Sequence, residues 1–176
     1  MDYRFSRRAR LTQDSFITEV FKYLQDKEVI SFSGGFPNPA TFPLNELHTS
    51  AEKVFLKEGS SVLQYATTNG DLDLRKFISK RYRIRQKLDV PADQILITSG
   101  SQQALDYIGK VFLEPGDTIL MEEPSYLGAI QTFTSYEVDI QTVKLEEDGI
   151  DLVDLETKIN HYNPKLIYLI PSFQNP

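Results

Sequence analysis

No cysteine occurs among the 176 residues. That absence excludes disulfides, cysteine-ligated metal sites and thiol catalysis together. Histidine is nearly missing as well. His48 and His161 are the only two, far apart and without an H-x-x-x-H spacing or a nearby carboxylate pattern. A metal centre or a Ser-His-Asp hydrolase therefore has little to be built from. No apolar run approaches the roughly 18 residues of a membrane span, and no signal-peptide pattern opens the chain. Positive charge is in deficit, with a net charge of −6 and a pI near 5.0. An acidic balance argues against a nucleic-acid partner, because phosphate backbones are held by an excess of Lys and Arg. These absences point to a cytoplasmic chain with neither nucleic acid nor membrane as partner.

What is present is ordinary globular composition, 40% hydrophobic and 25% charged, at a length of one domain or one domain and part of a second. The basic run Arg4, Arg7, Arg8 and Arg10 reads as a solvated arm. Apolar residues Phe16, Ile17, Val20, Phe21 and Leu24 fall at helical spacing. A short extended piece over 29–32 leads into Gly34-Gly35-Phe36-Pro37-Asn38-Pro39, a loop whose glycines admit close backbone approach. Pro43 begins a helix that ends at Gly59, with Leu44, Leu47, Ala51, Val54 and Phe55 on its apolar face. A second helix runs over about 71–88, and its charged residues, Arg75 among them, read as its wet face.

The rest of the chain alternates. Residues 94–98 (QILIT), 118–121 (TILM), 138–143 and 166–170 (LIYLI) are β-type. Residues 102–113, 126–135 and 152–159 are helical. Nearly all-apolar strands between helices indicate an α/β fold, a mainly parallel mixed sheet covered by helices on both faces. The QILIT, TILM and LIYLI segments are expected to be buried.

Three strand ends carry polar or aromatic groups. Ile97-Thr98-Ser99-Gly100-Ser101-Gln102 takes a strand through a small-residue turn into a helix, whose free N–H groups and dipole suit an anion. It is neither a P-loop nor a dinucleotide fingerprint, and a plain serine N-cap is the alternative. Glu123-Pro124-Ser125-Tyr126 places a tyrosine at the next strand end, where ligands of α/β sheets gather; a core or surface tyrosine is the alternative. Pro171-Ser172-Phe173-Gln174-Asn175-Pro176 delivers an amide to the same edge, or is a simple Asn-Pro turn.

Together with Phe32-Ser33-Gly34-Gly35-Phe36-Pro37 and with Leu63-Gln64-Tyr65 followed by Gly70 and Leu74-Arg75, these motifs resemble the class I/II aminotransferases of pyridoxal-phosphate fold type I. The likeness is to the 2-aminoadipate and kynurenine-type branch. The resemblance implies an aspartate aminotransferase-like fold, with residues 1–45 as arm, helix and substrate-side loop, and 46–176 as part of the large cofactor domain. It implies pyridoxal 5′-phosphate as cofactor, an amino acid and a 2-oxo acid as substrates, and a homodimer. By the same resemblance Ser101 and Gln102 bind the cofactor phosphate and Tyr126 stacks on the ring. Asn175 bonds the ring's phenolic oxygen, Tyr65 reaches the phosphate of the partner subunit, and Gly35 lines the substrate site.

The family's Schiff-base lysine comes after the Asn-Pro motif and has no counterpart here. Phe77-Ile78-Ser79-Lys80 echoes its context only faintly. The expectation is a chain that is part of a longer enzyme and inactive alone. The alternatives are an aminotransferase-like effector domain of a transcription regulator and a β-lyase of the same fold. The donor amino acid is left open, since the first helix offers Thr18, Glu19 and nearby Lys22 rather than an arginine to read an acidic side chain.

Overall fold

The computed structural model describes residues 3–11 and 37–175. The helix expected over 15–24, the extended piece over 29–32 and the loop glycines Gly34 and Gly35 lie outside the described residues. The chain divides into two compact units, Met1–Ser15 with Thr98–Pro176 and Phe16–Ile97.

The basic arm is exposed along its described length. Arg7–Leu11 forms a short helix, α1, begun by Ser6, whose Oγ accepts from the Ala9 amide at 3.2 Å. Arg7 pairs with Glu137 at 2.7 Å, and the Arg8 guanidinium lies 5.6 Å from the centre of the Tyr136 ring. The arm is solvated as expected, its described residues all exposed, while Arg7 and Arg8 also find a carboxylate and an aromatic face within their own unit.

In the other unit, α2 (Leu44–Glu58) runs from Pro43 to Gly59 as expected, and Gly59 stops it with φ +58°. Helix α3 (Leu72–Arg85) starts at Asp71, whose carboxylate accepts from the Leu74 amide at 2.7 Å. Arg75 corrects the sequence reading. It is buried, not wet, and it donates to the carbonyls of Gly70 at 3.2 Å and Ala92 at 2.8 Å. A buried guanidinium has to spend donors inside the protein, and these two carbonyls take two of its five N–H groups.

The sheet belongs to the unit that contains the arm. Strands β1 (Thr118–Glu123), β2 (Asp139–Glu146), β3 (Gly149–Ile150) and β4 (Leu166–Tyr168) lie in the order β3-β2-β1-β4. β1 is parallel to both β2 and β4, and β2 is antiparallel to β3. Helices α4 (Ser101–Phe112), α5 (Leu127–Ser135) and α6 (Leu152–Tyr162) connect and flank it. This is the mainly parallel mixed α/β sheet expected. Ile119 and Met121 on one face of β1 join Leu105, Leu113, Ala129, Phe133 and Tyr136 in the core. Leu120 and Val143, on the alternate face, are fully buried too. Glycine at 109 lets α4 approach this core: a Cβ there would meet the Tyr136 ring at 2.6 Å.

TILM is buried as expected, but two other segments differ. Residues 95–98 of QILIT form no strand, and Leu96 is exposed. Ile97 donates only to Asn69 O, at 3.1 Å, and an apolar run without a strand alongside has no ladder to join. LIYLI yields a strand only over Leu166–Tyr168, and Ile167 and Leu169 are both 41% exposed. β4 pairs with β1 on one side and has no strand on its other side among the described residues.

Candidate functional site

Parallel strands β1 and β4 end side by side, with Met121 opposite Tyr168. Their carboxyl ends form the edge at which ligands of α/β sheets bind, and three segments meet there.

The first is the start of α4. Gly100 is its N-cap residue, at φ +85° and with no side-chain cap. Nothing lies within 4 Å of a Cβ added there, so the backbone angle, and not crowding, calls for glycine. The first-turn N–H groups are thus left without a side-chain acceptor, and Ser101 beside them is exposed. The turn before the helix is held by two local bonds, Gln103 Oε1 accepting from the Ser99 amide at 2.7 Å and Thr98 Oγ1 donating to Gly100 O at 3.1 Å. Gln102 sends its side chain sideways. Its Nε2 donates to Gly128 O at 3.0 Å and to Thr132 Oγ1. What Gln102 has left to offer an anion is its backbone N–H.

The second segment is the start of α5. Tyr126 is its N-cap residue, and its ring folds over Gly128, where an added Cβ would come within 2.6 Å of Cε1 and Cζ. Tyr126 therefore lies on the residue whose carbonyl Gln102 holds, which brings the α4 N-terminus and this ring together. Tyr168 lies close by. Burial pushes its phenol above the usual range, and the neighbouring Tyr126 and Glu122 add to the shift. It meets Phe133 edge-on at 6.0 Å between ring centres. Ser125 is 9% exposed, and its Oγ has no hydrogen-bond partner.

The third segment follows β4. Glu122 is 4% exposed, and its Oε2 accepts from the Ile170 amide and from Gln174 Nε2, each at 2.8 Å. Gln174 Oε1 in turn accepts from the Asn175 amide at 3.0 Å. Asn175, itself exposed, is thereby tied to the end of β1. A cleft of about 600 Å³ adjoins this loop, lined by Glu122, the β2–β3 turn and residues 169–174.

Two further candidates are not brought to this edge by anything described. Tyr65 belongs to the other unit and is 99% exposed, with its amide held by Gln64 Oε1 at 2.8 Å. Gly35 is outside the described residues. Sequence reasoning missed Glu122, Gly128 and Thr132. Only Glu122 left a signal, a carboxylate inside a run that otherwise reads as a buried strand.

The sequence pattern of aminotransferase class I and II matches residues 27–176. The chain belongs to that family. Among its relatives within the family, the 2-aminoadipate transaminase of Thermus thermophilus is 42% identical over 172 residues, which are 98% of this chain and 42% of the relative. The crystal structure of the α-aminoadipate aminotransferase of that organism, complexed with N-(5′-phosphopyridoxyl)-L-leucine, superimposes with a TM-score of 0.84, covering 98% of this chain and 41% of the other. The kynurenine aminotransferase of Pyrococcus horikoshii gives 0.87 at 37% identity, over 98% of this chain and 44% of that one. An uncharacterised helix-turn-helix-type transcriptional regulator of Escherichia coli, YdcR, is 30% identical over 93% of this chain and 35% of its own length. The chain thus spans less than half the length of each. The fold is that of these aminotransferases, the family's cofactor is pyridoxal phosphate, and no helix among the described residues is long and apolar enough to cross a membrane.

Proposed function

We propose that this chain carries the phosphate and ring contacts of a pyridoxal-phosphate aminotransferase that moves an amino group from an amino acid to a 2-oxo acid. One observation carries the reading: an uncapped helix N-terminus, opened by a positive-φ glycine, is locked beside a tyrosine ring at the carboxyl ends of parallel strands. These residues fit a phosphorylated aromatic ring. The first-turn N–H groups and the Ser101 hydroxyl would hold the phosphate. The Tyr126 ring would lie against the flat face of the cofactor. The orphaned Ser125 Oγ lies next in the chain to Tyr126, a polar group awaiting a partner. Asn175, on the segment pinned by Glu122, would donate to the ring's phenolic oxygen.

When bound, the cofactor supplies the electron sink for chemistry at the amino acid's Cα, and the protein's share is anchoring and orientation. In this reading residues 1–45 form the arm, helix and substrate-side loop, and 46–176 part of the cofactor domain. Tyr65 reaches the phosphate site of a second copy, so the protein works as a homodimer. Gly35 lines the substrate site, and the protein is cytoplasmic. An effector domain of a transcription regulator is the weaker reading, since the identity falls from 42% with the transaminase to 30% with the regulator.

The test is a titration of the purified chain with pyridoxine 5′-phosphate, followed by phosphorus NMR. This ligand keeps ring and phosphate but has no aldehyde to react with lysines. Saturable binding that weakens in both Ser101→Ala and Tyr126→Ala is expected. Binding indifferent to both substitutions overturns the reading.

A further inference from the structure

Resting on that reading, we infer that the Gln102 side chain is a positioning group. It sets the register between the phosphate-binding turn of α4 and the ring of Tyr126, and does not itself touch the phosphate. Gln102 Nε2 carries two protons, and the structure places both acceptors on α5, at Gly128 O and Thr132 Oγ1. Thr132 is 8% exposed, and its hydroxyl donates onward to the same Gly128 carbonyl at 2.9 Å. That leaves a three-membered polar knot in which every donor is used.

Gly128 is also the seat of the Tyr126 ring: a Cβ there would come within 2.6 Å of the ring tip, so the ring could not keep this place over a larger residue. One residue therefore receives the clamp from α4 on its carbonyl and the aromatic plate on its Cα. Nothing else described ties Ser101 to Tyr126 so directly. The two ends of a rigid, phosphate-bearing ring ligand must meet both at once, so the spacing matters only to a ligand that has both ends.

That distinction supplies the test. Inorganic phosphate and pyridoxine 5′-phosphate are titrated into the wild-type chain and into Gln102→Met, Thr132→Val and Thr132→Ser, each first checked for folding by circular dichroism. Loss of the clamp in Gln102→Met and Thr132→Val is expected to weaken pyridoxine 5′-phosphate about tenfold while inorganic phosphate changes less than about twofold, since misplacing one anchor penalises only the two-point ligand. Thr132→Ser, which keeps the hydroxyl, is expected to bind like wild type. If Gln102→Met does not fold, the Thr132 pair carries the comparison alone. Equal losses for both ligands, or none for either in a folded variant, overturn the inference and leave the functional reading intact. A wild-type chain that binds neither ligand overturns the functional reading, and the inference falls with it.

Discussion

Gly109 shows how local crowding reverses a general rule. Replacing a helical glycine with alanine ordinarily stabilises a protein by up to about 1 kcal/mol. At Gly109 the new Cβ would lie 2.6 Å from a Tyr136 ring whose hydroxyl is fixed by donation to Asp106 Oδ1 at 2.7 Å. Overpacking of this kind costs about 1–3 kcal/mol, so Gly109→Ala is expected to lower the melting temperature, as calorimetry would show. Tyr136 itself titrates late. Burial, with Asp106 beside it, pushes the phenol from 10.0 up to about 12. The folded state keeps a proton that the unfolded chain releases from pH 10 upward. Tyr136 therefore contributes stability that is complete below pH 10 and is lost as pH rises through about 12. Tyr136→Phe should remove this part of the alkaline decline, and the phenolate absorbance step missing from that variant should be a late one in wild type, as the raised Tyr136 phenol requires. If every tyrosine titrates near pH 10 in the folded protein, the environment assigned to Tyr136 is wrong.

Among elements, the caps are the simplest to test. Asp151 opens α6, and its Oδ1 accepts from the amides of Val153 at 2.9 Å and Asp154 at 3.0 Å. Asp151→Ala is expected to cost about 1 kcal/mol in a urea melt, and an unchanged midpoint would deny the cap its role. Capping and apolar periodicity were also what made the elements legible. Pro43 and Gly59 bracket α2, and TILM reads as a strand because both its faces are buried. QILIT carries the same local signal, but strand formation depends on a neighbour that lies elsewhere in the sequence. The short β3 was missed: the two-residue turn before it is Glu147-Asp148, with Gly149 already paired to Glu146, and that turn is not one of the Asn-Gly or Asp-Gly pairs that announce a hairpin. Arg75 was misread because helical periodicity cannot foresee two carbonyls, at Gly70 and Ala92, waiting outside the helix. For the candidate site, Ser101, Tyr126 and Asn175 were legible as groups that follow apolar runs. The ties between them, through Gly128, Thr132 and Glu122, depend on tertiary contact and left almost no trace in the sequence.

At the scale of the whole molecule, much apolar surface is uncovered. Phe55, Leu56, Phe77, Val111, Phe112 and Val153 are each at least 50% exposed, and surfaces of this kind favour association. The 176-residue chain is expected to sediment as concentration-dependent oligomers; a monodisperse monomer with a sharp melt would contradict this. It is also expected to form no glutamate from 2-oxoglutarate with any amino acid. No lysine has the context the family's chemistry needs, and the chain spans 42% of the length of its Thermus relative. Turnover by the chain alone would overturn that expectation. The central claim is that the turn opening α4 and the ring of Tyr126 form one cofactor-binding edge. The most direct measurement is amide NMR of the isotope-labelled chain during titration with pyridoxine 5′-phosphate. The largest shifts are expected at Ser101, Gln102 and Gln103, with companion shifts at Tyr126 and Leu127 that saturate at the same ligand concentration. Shifts confined to the arginines of the arm, or absent from both turns, would contradict it.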